Sequence, residues 1–242
     1  CTGRPAAEAS ARAALQELPG VGAPFKAIGH EPAWTLDMGG GRMVLVVDLG
    51  ATRTELPMPV AVPVDGGRRY DARSDAHTLT VTILDRVCAD SMTGMPRPAT
   101  VEVTFGDRTL KGCGGDPISL LRGGVWFVDQ LRGGPIVELS RITLTFGANG
   151  RISGTSSCNT YSAGYLLSGE GLTVTMPISS MRSCEAPYMA QEAEFLEILR
   201  GVTRFELKDD GALVLHAADG GTIQARRQAV QVGVPNKPPR PR

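Results

Sequence analysis

Ile142-Thr143-Leu144-Thr145-Phe146, followed by Gly147-Ala148 and then Asn149-Gly150, decides the fold. Apolar residues alternate with threonines, so one face of an extended chain is greasy and the other is wet. Asn149-Gly150 then supplies residues that tolerate positive φ, the chemistry of a tight turn between two strands. The same period of two recurs upstream in Thr78-Leu79-Thr80-Val81-Thr82-Ile83 and Val101-Glu102-Val103-Thr104-Phe105. Downstream it recurs in Leu172-Thr173-Val174-Thr175-Met176. Met43 to Val47 is a compact apolar run, and Asp209-Asp210-Gly211 and Asp219-Gly220-Gly221 add two more hairpin turns. One buried and one solvated face per strand is the signature of antiparallel sheet, and the fold class is mainly β.

The whole chain fits that reading. With 242 residues it can hold one large domain or two small ones. Its 30 Gly and 17 Pro are turn formers, and a 42% hydrophobic content excludes disorder. Lys plus Arg (25) balance Asp plus Glu (25), so no basic field recruits nucleic acid, which is not expected as a partner. No apolar run approaches the roughly 18 residues that a spanning helix requires.

One segment breaks the β pattern. Pro187-Tyr188-Met189-Ala190-Gln191-Glu192 opens with helix start signals, acids follow in the early turns, and Gly201 stops the run. A helix over about 187–200 is expected, with Tyr188, Phe195, Leu196 and Leu199 on its sheet-facing side. Gly114-Gly115-Asp116-Pro117 then separates an N-terminal β domain, 23–115, from a C-terminal domain, 118–228, that carries the helix. Both are small antiparallel domains, each a sheet or partly closed barrel.

Five cysteines leave one over. Cys1 followed by the small, polar Thr2-Gly3-Arg4-Pro5-Ala6-Ala7 resembles the start of a mature bacterial lipoprotein, in which that cysteine carries acyl chains. Residues 1–22 would then be a tether with at most a short helix at 9–18, and Thr2 favours the outer over the inner membrane. Acylation at about 0.8 kcal/mol per CH₂ would give stable anchoring facing the periplasm. The other four allow three connectivities. Cys88 with Cys113 and Cys158 with Cys184 is the simplest, because neither bond crosses between domains, and each closure contributes about 3 kcal/mol in the chain-entropy model. Metal or redox duty is the rival reading. It lacks a CxxC, and His30, His77 and His216 are scattered, so no metal or cofactor is expected. At the other end, Arg226, Arg227, Lys237, Arg240 and Arg242 are interspersed with prolines in an extended, solvated basic tail, 229–242 at its core, which is either a frayed terminus or a contact for anionic lipid or cell-wall polymer.

Gly150-Arg151-Ile152-Ser153-Gly154-Thr155-Ser156-Ser157-Cys158-Asn159-Thr160-Tyr161-Ser162-Ala163-Gly164-Tyr165 resembles the G-x-x-x-G, C-N-x-Y and G-x-Y elements of the META (HslJ-like) domain. Ser180-Met181-Arg182-Ser183-Cys184, then Glu192 and Phe195-Leu196, follow in family order. Ser156-Ser157 stands where members often carry Gly before C-N. The resemblance implies a partly closed β-barrel with a packed helix, no established catalytic residues, and associations with heat shock and novobiocin tolerance. Phe25 to Trp34, Tyr70-Asp71-Ala72, Cys88 to Met92 and Leu110 to Cys113 look like an uncharacterised exported lipoprotein domain.

Six residues are candidate ligand contacts. His30 and Glu31 offer acid–base chemistry, but neighbours on a strand point to opposite faces. Glu31 bonding backbone amides and Trp34 filling the core is the competing role. Asp90 sits in a loop that is either a ligand contact or an Asx turn. Asn159 and Arg182 flank the second cysteine pair. They make either a small polar site or, separately, a turn-satisfying amide and a surface ion pair. No nucleophile elbow, phosphate loop or dinucleotide fingerprint is present. The expected function is a lipid-anchored envelope protein that binds an envelope protein, acyl chain or cell-wall polymer during envelope maintenance, stress or antibiotic tolerance, and no enzyme activity is expected. The alternatives are a cryptic enzyme acting on envelope substrates through His30, Glu31 or Asp90, and a spacer between membrane and wall.

Overall fold

The computed structural model describes residues 24–75 and 77–227. The expectations for Cys1, the tether with its 9–18 helix, and the tail 229–242 lie outside the described residues. The chain divides into two compact units. Among the described residues the first comprises 24–92 and 97–116, and the second 93–96 and 117–227.

The first unit is one nine-stranded antiparallel sheet curved into a half-barrel. Its strands are β1 (Phe25–His30), β2 (Ala33–Gly39), β3 (Arg42–Val47), β4 (Thr52–Pro57), β5 (Val62–Val64), β6 (Gly67–Arg73) and β7 (Thr78–Leu84). After two short strands, β8 (Cys88–Ala89) and β9 (Pro96–Arg97), β10 (Ala99–Phe105) and β11 (Arg108–Gly114) complete it. The order β4-β3-β2-β1-β11-β10-β7-β6-β5 brings β11 back beside β1, with Cys113 opposite Ile28. Alternation holds as expected. Leu79, Val81 and Ile83 are buried against Val101, Val103 and Leu110, while Thr80 and Thr82 face outward. Trp34 is 3% exposed and donates from Nε1 to the Lys111 carbonyl at 3.3 Å. Its indole lies where any side chain at Gly29 would collide with it, so the glycine makes the close approach possible.

The second unit begins with a single turn, α1 (Ile118–Leu121), and continues through β12 (Trp126–Leu131), β13 (Gly134–Pro135), β14 (Thr143–Phe146), β15 (Arg151–Thr155) and β16 (Thr160–Ser168). Then come β17 (Gly171–Val174), β18 (Ile178–Ser179), α2 (Ala186–Arg200), β19 (Val202–Leu207), β20 (Leu213–Ala217) and β21 (Thr222–Arg227). The main path β17-β16-β15-β14-β12-β21-β20-β19 is antiparallel, and β17 comes round to lie beside β19, nearly closing a barrel. Closure depends on Gly171, whose missing side chain leaves room for the Thr203 carbonyl. Asn149-Gly150, Asp209-Asp210-Gly211 and Asp219-Gly220-Gly221 all occupy hairpin loops, as their chemistry demands.

Helix α2 covers the barrel with Phe195, Ile198 and Leu199, each at 0% exposure among Leu172, Leu215 and Ile223. Burying Phe195 alone contributes about 3 kcal/mol. Two details depart from expectation. Thr143 is buried rather than wet, because its hydroxyl binds the Thr155 N–H at 3.0 Å and its carbonyl accepts the Tyr161 hydroxyl at 2.9 Å. Arg226 and Arg227 belong to β21 rather than to a solvated tail. Arg226 bridges Asp129 (3.0 Å) and Asp210 (2.8 Å). Arg227 lies 4.3 Å over the Trp126 ring and caps α1 by donating to the Leu120 and Arg122 carbonyls.

Candidate functional site

On α2 the buried stripe holds two polar residues, Gln191 and Glu192, both 6% exposed. Buried polar groups must find partners, and these two find them in neighbouring loops. Gln191 Oε1 accepts the Val137 N–H at 2.5 Å, and its Nε2 donates to Ser140 Oγ (2.5 Å) and Ser157 Oγ (3.1 Å). Glu192 holds the turn of residues 156–159. Its Oε2 accepts Ser156 Oγ (2.9 Å), Cys158 N–H (3.3 Å) and Asn159 N–H (2.8 Å), and its Oε1 accepts Asn159 Nδ2 (2.9 Å). Every partner is a donor, the pattern of a carboxylate.

Asn159 relays this grip. Its Oδ1 accepts Ser180 Oγ and the Arg182 N–H, both at 2.8 Å, and its Nδ2 also reaches the Arg182 carbonyl at 3.3 Å. The bond between Cys158 and Cys184, 26 residues apart, ties the same segment from its far end. Asn159 and Arg182 are thus brought together, but through the arginine's backbone. The expected surface ion pair of Arg182 is corrected: its side chain is exposed and forms none among the described residues. Ser157 takes the left-handed φ of 89° that glycine favours. Its hydroxyl, bonded to Ser140 Oγ (3.0 Å) and Gln191, offsets the cost. Tyr161 stacks edge-on against Phe195 with centroids 5.2 Å apart, and burial pushes its phenol far above the ordinary tyrosine range, so it stays a donor.

Beside this knot lies an open groove of about 360 Å³ lined by Asn159, Ser179–Ser183, Met189 and Glu192. Met181 is 98% exposed and Met189 37%. Ile178 and Met176, on the segment leading in, are also exposed. The backbone of Met181 and Ser183 has no hydrogen-bond partner among the described residues.

The first unit contains a second arrangement. Cys113 faces Ile28 on β1, so its bond to Cys88, 25 residues back, draws the segment after Cys88 over the end of β1. That delivers Asp90, 4% exposed, to His30, with Oδ2 2.9 Å from Nε2. Asp90 Oδ1 accepts the Met92 N–H at 3.1 Å, so the Asx turn forms and the carboxylate still meets the imidazole. Glu31 is exposed in the turn joining β1 to β2 and forms no hydrogen bond among the described residues. The expectation that it binds backbone amides is corrected, because a turn position aims it at solvent. Trp34 is core.

Sequence reasoning did not single out Gln191, Glu192, Ser156 or Ser180 as site residues. One signal was available: Tyr188, Glu192, Phe195 and Leu199 share a helical stripe, and an acid on an apolar stripe marks a buried carboxylate in need of donors.

Residues 119–230 match the META domain family. No curated protein matches the chain. Among solved structures, a protein from Burkholderia xenovorans is similar at 22% identity over 46% of this chain and 86% of its own, with a TM-score of 0.40. A DUF4847 family protein from Bacteroides vulgatus is similar at 16% identity over 46% of this chain and 96% of its own, with a TM-score of 0.35. The META match suggests an envelope-associated protein. Both disulfides fit an oxidising compartment, and among the described residues no helix is long and apolar enough to cross a membrane.

Proposed function

We propose that this META-domain chain acts in the cell envelope by binding, held to the outer membrane by acyl chains on Cys1, and that it contributes to envelope maintenance, stress or novobiocin-type tolerance. The observation that carries the binding reading is the groove beside the Cys158–Cys184 bond. Its floor is built from Asn159 and Glu192, whose side-chain hydrogen bonds hold the turn, while Met181 is left almost fully in water. A rigid polar floor under displayed thioethers suits capture of a partner, since methionines adapt their shape to the surface they meet. Anchoring is proposed from the small, polar stretch Thr2-Gly3-Arg4-Pro5-Ala6-Ala7 that follows Cys1.

The test is in-cell photo-crosslinking from position 181, with position 209 on the β19–β20 turn as control. A defined envelope partner captured at 181 and absent at 209 supports the reading, and equal labelling at both positions removes it. Changing Cys1 to Ser should release the protein from membranes, and retention would place the anchor elsewhere.

A second reading rests on the contact between His30 and Asp90. A carboxylate fixes one imidazole nitrogen and leaves Nδ1 without a partner among the described residues, an arrangement suited to proton transfer. If a cryptic enzyme uses it, His30→Ala at normal protein level abolishes the envelope phenotype. Under the binding reading the phenotype survives.

A further inference from the structure

We infer that the groove beside the Cys158–Cys184 bond takes an alkylammonium group, the chemistry of a lysine side chain on the partner, with its charge at Glu192 and its methylenes along Met181 and Met189. The inference rests on the binding reading above and names the chemistry it would recognise. Three observations carry it.

First, Glu192 is a buried carboxylate without a counter-charge. It is 6% exposed, its partners are dipolar donors, and no Lys, Arg or His of the described residues forms an ion pair with it. A buried charge balanced only by dipoles gains most from a cation that can approach it. Second, the carboxylate is asymmetrically loaded. Oε2 accepts three hydrogen bonds and Oε1 one, from Asn159 Nδ2. Oε1 is thus the less engaged of the two oxygens, and Glu192 lines the groove. Third, the walls suit the arm of such a ligand rather than a bare ion. Met181 and Met189 line the same groove, and thioethers are soft surfaces for methylenes. A small hydrated metal ion would meet too few free oxygens here, because those of Asn159 and Ser180 are already engaged. Arg182, the cation on the groove wall, is exposed and therefore screened by water and salt, so it weakens a bound ammonium less than buried Glu192 attracts it.

The experiment titrates the ¹⁵N-labelled full chain with n-butylammonium and, separately, with n-butanol, which has the same arm without the charge. A ligand of about five heavy atoms binds in the millimolar range. Expected are saturable shifts of the Asn159 side-chain amide and of the backbone amides of Ser180, Met181, Ser183 and Met189, with butanol at least tenfold weaker. Glu192→Gln should weaken butylammonium at least tenfold. Because that change also perturbs the knot, Met181→Lys provides the second arm. At a fully exposed position it places an ammonium of the chain's own at the groove and should suppress binding without altering the fold. Equal binding of butanol, no saturable shift, or undiminished binding in the Met181→Lys protein would each overturn the inference. Crosslinks from position 181 that persist after such a result would show that the partner is real and its chemistry different.

Discussion

The two units solve the same problem with opposite chemistry. Each buries one acidic residue near a disulfide that closes a similar length of chain, 25 residues in the first and 26 in the second. In the first unit the partners of Asp90 include the His30 imidazole and the Met92 amide of its own turn. In the second, Glu192 is met by a hydroxyl, two backbone amides and a side-chain amide. An acid held by amides depends on the turn that aims them, whereas an acid held by histidine depends on the disulfide-tied segment that delivers it. The second unit therefore has a held turn beneath an accessible groove, and the first has a side-chain pair joined across 60 positions.

The largest test of this contrast is Glu192→Ala. It removes four hydrogen bonds and leaves the Cys158 and Asn159 N–H groups without their carboxylate, and should cost about 3–5 kcal/mol in urea unfolding of the second unit. Removing either disulfide by paired Cys→Ser changes should cost about 3 kcal/mol. Nearly equal loop lengths predict nearly equal losses, so a gap of several-fold would mean that one bond stabilises mainly through native contacts. Asp90→Ala should cost less, about 1–3 kcal/mol, because the histidine it leaves is half-exposed and water can replace the lost contact. A loss as large as that of Glu192→Ala would break the distinction between the two acids.

Ser157→Gly trades relief of a left-handed backbone against two lost hydroxyl contacts and should change stability by no more than about 1 kcal/mol. A larger loss would assign the turn to the hydroxyl rather than to backbone freedom. The smallest effect concerns pH, and in the second unit it lies away from the knot. Burial, aided by the nearby charge of Arg204, lowers the His216 imidazole below its ordinary range despite the Glu206 carboxylate at 3.2 Å. The unfolded chain then binds the proton more readily. Stability from this residue is complete above the ordinary imidazole range and falls as pH drops through it to the lowered folded value. His216→Gln should flatten that slope in thermal melts across mildly acidic pH, and an unchanged slope would locate the sensitivity in another group.

Much of the fold was legible because strand and turn chemistry are local. Ile142–Phe146 with Asn149-Gly150, and Thr78–Ile83 with its outward threonines, declared their faces before any partner strand was known. The helix was equally plain from Pro187 to Gly201. The site was less legible. Asn159 and Arg182 could be placed together by their flanking cysteines, but not the way they meet, because a backbone amide carries no residue signature. Glu192 lay in view on an apolar stripe, yet its donors come from Ser156, Cys158 and Asn159, 33 to 36 positions away. Asp90 reaching His30 across 60 positions depended on which strand β11 would lie beside.

Sequence alone thus determined the alternating strands, the hairpin turns, the helix and a cysteine arrangement that can close within each half, since all of these follow from the conformational preferences and solvation of neighbouring residues. Only the tertiary structure decided that Glu192 is buried without a cation, that Asp90 faces His30, and that Met181 stands exposed at a groove. Those facts depend on which distant groups share a desolvated space, and the free energy of a buried charge is set by everything around it.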